Sequence, residues 1–137
     1  MTGKDIPTGD HICRYCKPSS TVGGKLMAEA FQIRRNEDHL SVNWIEYLGV
    51  QDLASAAVMV SELLRGRGYR VKPSGRMAVI GVGTAMSAAL DAANKRIRIR
   101  HVPRPDDESH AGIFGYTYDD YEIAAALAKQ SQSFRTS

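Results

Sequence analysis

Disulfides cannot organise this chain, because its 137 residues include only two cysteines. They stand as Cys13 and Cys16 in a C-x-x-C spacing, too sparse for a secreted scaffold and expected to be reduced. No long hydrophobic run is present either. The longest, from Met77 to Gly83, is far too short to cross a bilayer, and the first thirty residues lack the apolar stretch of a secretory leader, so the expected location is the cytoplasm, with no membrane partner. Internal repeats, linkers and low-complexity segments are missing, which leaves one folding unit. A second C-x-x-C or an H-x-x-x-H is missing too. Cys13 and Cys16, with His11 nearby, therefore make at most half of a zinc site, and two small side chains packing a loop are the simpler expectation. No cofactor is expected.

What is present suits an ordinary globular domain. Apolar content of 43% and charged content of 24% exclude the disordered and fibrous classes, and a chain of this length buries enough surface for one core without metal support. The reading is a single α+β domain over 1–137, with an irregular N-terminal segment 1–22. A mainly antiparallel sheet of about five strands and about three helices should follow. Gly23-Gly24 is a tight turn leading into a strand over Met27 to Arg34, with Phe31 and Ile33 alternating. Leu40, Val42 and Trp44 share one face of the next strand and Ser41 and Asn43 the other, so these two runs are expected to form a hairpin.

Leu53, Ala56, Ala57, Val60, Leu63 and Leu64 recur at helical spacing and stop at Gly66 and Gly68, which marks the longest helix. A second hairpin is expected from Tyr69–Lys72 and Arg76–Val82 about the Pro73-Ser74-Gly75 turn. A helix over Thr84–Ala93 closes at Asn94 in the left-handed conformation. Arg96, Arg98 and Arg100 then alternate with Ile97 and Ile99, and a last helix starts near Asp119 and Glu122.

Charge is uneven along the chain. From Val60 to Arg104 the formal charge is +8, and from Pro105 onward it is −4. That asymmetry attracts phosphate or closes on itself. Two loops carry the chemistry. His11 to Pro18 places six reactive or hydrogen-bonding side chains among eight residues, and Ser109 to Tyr116 sets His110 among small residues before Tyr116. Were the two loops to meet, His11, His110, Arg14 and Tyr116 would converge, with imidazoles to move a proton and a guanidinium to hold a phosphate. Glu46 is the one carboxylate in the patterned core suited to general base work, unless the strand simply ends at Trp44.

Lys17, Ser41 and Asn43 are further polar contacts. Gly83 and Thr84 lie at a glycine-rich strand-to-helix turn, which offers backbone amides to an anion although Met86 replaces the third glycine of a dinucleotide fingerprint. Arg96, Arg98 and Arg100 either track a nucleic-acid backbone or guard a strand edge. The leading expectation is a small cytosolic protein that binds a phosphate-bearing ligand, a nucleotide or RNA, with metal-independent ribonuclease-like or transferase chemistry through a His/Arg pocket. The alternatives are a non-catalytic interaction subunit with a protein partner or a second copy of itself, and a small zinc-binding adaptor.

Overall fold

The computed structural model describes residues 3–137. Eight strands and three α-helices follow one another along them: β1 (His11–Cys16), β2 (Thr21–Val22), β3 (Lys25–Leu26), β4 (His39–Trp44), α1 (Leu53–Gly66), β5 (Arg76–Gly81), α2 (Val82–Ala93), β6 (Arg98–His101), β7 (His110–Phe114), α3 (Tyr121–Gln130) and β8 (Gln132–Phe134). Six strands form an antiparallel sheet in the order β6-β7-β4-β1-β5-β8, and β2 and β3 make a separate two-stranded ribbon. The α+β class, the dominant antiparallel sheet and the three helices are as expected. No helix among the described residues is long and apolar enough to cross a membrane.

Four local expectations are corrected. His11–Cys16 is no irregular loop but β1, paired to β5 along all six residues and lying inside the sheet. Ile12 and Cys16 pack into the core on one face while Cys13 and Tyr15 pack on the other, so a strand covered on both sides shows no polar/apolar alternation. Met27 to Arg34 forms no strand: Ala28–Phe31 is a 3₁₀ turn that sinks Ala28, Ala30 and Phe31 into the core. Gly23 and Gly24 do form the tight turn, at φ +57° and +80°, but it joins β2 to β3. Tyr69–Lys72 is a connection rather than a strand, and β5 pairs instead with β1 and β8.

The helices settle on the two faces unequally. On one face, Ala85 and Ala89 of α2 and Ile123 and Leu127 of α3 close over Ile12, Val42, Ile80 and Ile113. On the other, α1 lays Ala56, Ala57 and Val60 against Cys13, Met77 and Val79. Complete burial of a valine such as Val60 contributes about 1.5–3 kcal/mol. Asp52 starts α1 by accepting from the Ser55 amide at 2.8 Å, and Asn94 ends α2 at φ 53°. Because α1 covers only the β1–β5 half, the β4–β7–β6 half of that face carries no helix. The loop 102–109 folds over part of it, and the remainder borders the site.

Candidate functional site

The site begins where the sheet fails to close. β1 and β4 are neighbours, yet they pair only at Ile12↔Trp44 and Cys13↔Asn43. Beyond Cys13 the strands part, and the Arg14 guanidinium fills the gap, donating from Nε to the Ala30 carbonyl and from Nη1 to the Ser41 carbonyl, both at 2.7 Å. Antiparallel alternation turns the main-chain groups of Tyr15 and Ser41 toward each other across this split. The resulting cleft encloses about 730 Å³.

Of the residues singled out from the sequence, the cleft gathers Arg14, Lys17, Ser41, Asn43 and His110, and it adds His39, Tyr15 and Tyr69. Six cationic side chains line it (Arg14, Lys17, Arg34, Arg67, Arg70 and Arg104) against two acidic ones, Glu29 and Glu37. Lys17, Arg70 and Arg104 enter no ion pair among the described residues. Their charge is free to face a ligand.

His110 and Ser41 are held in a defined geometry. His110 Nδ1 lies 2.8 Å from the Val102 carbonyl, which can only accept, so the proton sits on Nδ1. Burial lowers the His110 pKa from 6.5, which keeps the ring neutral and leaves Nε2 as an acceptor. Ser41 Oγ then donates to Nε2 across 3.2 Å. His39 stands on the same face of β4, two residues from Ser41. Its ring stacks on Phe114 at 5.0 Å and meets His110 edge-on at 6.3 Å. His39 Nδ1 pairs with Asp38 at 2.8 Å, while its buried Nε2 has no hydrogen-bond partner.

A polar network fixes the loop that supplies the Val102 carbonyl. Asn43 Nδ2 donates to both carboxylate oxygens of Asp107, at 3.0 and 2.9 Å, and to Ser109 Oγ at 2.8 Å. Arg67 Nη1 reaches the same carboxylate at 3.1 Å and Arg67 Nε reaches Asp106 at 3.0 Å. The basic middle of the chain thus closes in part on its acidic tail, as Lys95 does on Asp120 at 2.8 Å.

The remaining candidates lie elsewhere. His11 does not meet His110: its Nδ1 and its amide bind the Glu46 carboxylate at 2.7 Å each, beyond the end of β4. β4 does end at Trp44, so Glu46 opens a 3₁₀ turn beyond the patterned core, exposed and outside the cleft. Tyr116 is buried against the Phe31 carbonyl, to which its hydroxyl donates, and burial raises its pKa. The anion site expected at Gly83 and Thr84 is filled internally, because the Val82 and Gly83 amides donate to Asp10 and Thr8 carbonyls at 2.8 and 3.0 Å. Arg98 and Arg100 both turn to Asp5, at 3.2 and 3.3 Å, and residues 4–6 pair along β6 as an edge guard; Arg96 is exposed. Cys13 and Cys16 point to opposite cores and cannot grip one ion, so their spacing is no zinc half-site. Burial pushes both thiols up, Cys16 to about 11.

His39, Asp107 and Arg67 escaped the sequence reading. His39 had a signal, since it continues the polar face of Ser41 and Asn43 by one more step. No protein-family model, curated protein or solved structure matches the chain.

Proposed function

We propose that the protein binds a nucleotide through its phosphate, in the cleft where β1 and β4 part. One observation carries the reading: the unpaired Lys17, Arg70 and Arg104 converge on a cleft that already has Arg14 at the split. Guanidinium groups hold phosphate with two parallel hydrogen bonds, and an unneutralised set of them facing one space favours an anion there. A volume of about 730 Å³ suits a mononucleotide, and Tyr15 and Tyr69 supply aromatic surface for a base. Occupation of Arg98 and Arg100 by Asp5 weighs against a long RNA lying along β6. The interaction-subunit alternative has less support. Its best feature is Met86 and Leu90, exposed one turn apart on α2, which is a far smaller apolar area than a stable interface needs.

The test is calorimetric titration with inorganic phosphate, a panel of 5′-mononucleotides and a short single-stranded RNA. Mononucleotides should bind, more weakly as salt rises, and Arg70→Ala and Arg104→Ala should each weaken binding about tenfold, equivalent to about 1.4 kcal/mol. Absence of binding by every nucleotide at millimolar concentration refutes the proposal. Affinity that climbs steadily with RNA length would replace the nucleotide with an extended strand.

A further inference from the structure

We propose that Ser41 is a nucleophile activated by His110, and that the cleft hydrolyses a phosphate ester through a covalent phosphoseryl intermediate. This rests on the phosphate-binding reading of the same cleft and adds a reaction to it.

The geometry supplies the parts in order. A serine hydroxyl is a weak nucleophile unless a base takes its proton as it attacks, and the base must itself be oriented by a third group. Ser41 Oγ donates to His110 Nε2 at 3.2 Å, and the Val102 carbonyl holds the opposite ring nitrogen at 2.8 Å. The base cannot rotate away, because its ring is buried and wedged edge-on against His39. Ser41 itself is only half-buried and borders the cleft. Arg14, bonded to the carbonyl of this same residue, brings a fixed positive charge to the strand that carries the hydroxyl. Lys17, Arg70 and Arg104 line the same cleft and supply positive charge for the non-bridging phosphate oxygens. His39 Nε2, buried on the same strand face, keeps an unused hydrogen-bonding atom beside the base.

In the first half-reaction the bond from Ser41 Oγ to phosphorus forms, the hydroxyl proton passes to His110 Nε2, and the bond from phosphorus to the leaving alcohol breaks. The alcohol departs with that proton. In the second, a water oxygen bonds to phosphorus while His110 Nε2 takes a proton from the water. The bond from phosphorus to Oγ breaks, Oγ recovers the proton, and the net change is ester plus water giving phosphate and alcohol. No oxidant, reductant or further co-reactant is required.

A fluorophosphonate tests the step without the natural substrate, since it transfers its phosphonyl group to an activated serine with loss of fluoride. The wild-type protein is incubated with the probe, digested, and the modified residue located by mass spectrometry. A single adduct on Ser41 is expected, at least a hundredfold slower in His110→Gln and suppressed by a bound mononucleotide. Circular dichroism confirms that the variant is folded, and adduct mapping in the wild type gives a result without any variant. No adduct on Ser41, or equal labelling of folded His110→Gln, overturns the proposal. Nucleotide binding without labelling removes the nucleophile and keeps the binding reading; labelling without nucleotide binding removes the phosphate ester as substrate.

Discussion

Removing the Asp107 carboxylate should be among the most damaging single changes outside the apolar core. Its side chain is completely buried and accepts from Asn43, Ser109 and Arg67. Asp107→Ala leaves the buried Ser109 hydroxyl without its acceptor, the buried Asn43 amide with Ser109 Oγ alone, and a guanidinium only 12% exposed with one carboxylate fewer. Breaking a buried pair by deleting one partner costs about 3–5 kcal/mol. Arg67 keeps Asp106 and some access to water, which places the loss near 3 kcal/mol. At about 2.1 cal/mol/K of unfolding entropy per residue, that lowers the melting temperature by about 10 °C. Thermal and urea melts of Asp107→Ala, Arg67→Ala and the double variant give the coupling directly. A loss below about 1 kcal/mol for Asp107→Ala, or a coupling near zero, would show that the network is not held as described.

The other expectations can be checked on the same protein. His110 binds its proton less readily in the folded than in the unfolded state, so unfolding takes up a proton as pH falls through 6.5, and stability is full above that value and declines below it. Arg104, Asp107 and His39 face the ring, and His110→Gln should flatten this part of a pH series of melts; an unchanged slope would assign it to another group. Gly115→Ala forces a φ of +109° on alanine with its Cβ 2.7 Å from the Arg96 carbonyl oxygen, a loss of about 2–3 kcal/mol, whereas Gly49→Ala at φ +73° meets open space and should cost about 1 kcal/mol. Equal melting temperatures for these two variants would contradict the packing at Gly115. Cys13 and Cys16, buried with raised pKa values, should resist a thiol-specific disulfide reagent at pH 8 until denaturant is added, when both react. Prompt titration of either in the native protein would place it at the surface.

Legibility in the sequence followed how many independent cues agreed. α1 shows apolar periodicity and terminal glycines that point to the same element, and the structure adds the Asp52 cap. β1 offered only a dense run of polar and sulfur side chains, because its polarity is cancelled by partners far away in sequence: Arg14 by Ala30 and Ser41, Tyr15 by the Lys72 amide at 3.0 Å. β8 is three residues long and largely polar, a strand only because β5 has an edge to offer. At the site, the residue types were readable and the pairing was not. Arg14, Lys17, Ser41, Asn43 and His110 share a cleft, but the histidine beside His110 is His39 and not His11. Strand register, invisible in composition, placed Asn43 opposite both His110 and Cys13, and left His11 with Glu46 at the end of β4.

The two residue pairs that join β1 to β4 also bear on how the molecule moves. In the plane of the sheet they are a short seam between two three-stranded blocks, β6-β7-β4 and β1-β5-β8. Main-chain amides along such a seam exchange with solvent through smaller openings than those inside either block. A ligand bridging Tyr15 and Ser41 would reinforce the side-chain rung that Arg14 already makes to the Ser41 carbonyl. Its occupancy should then be recorded as slowed amide exchange on both blocks, so that filling one cleft makes two half-sheets breathe as one.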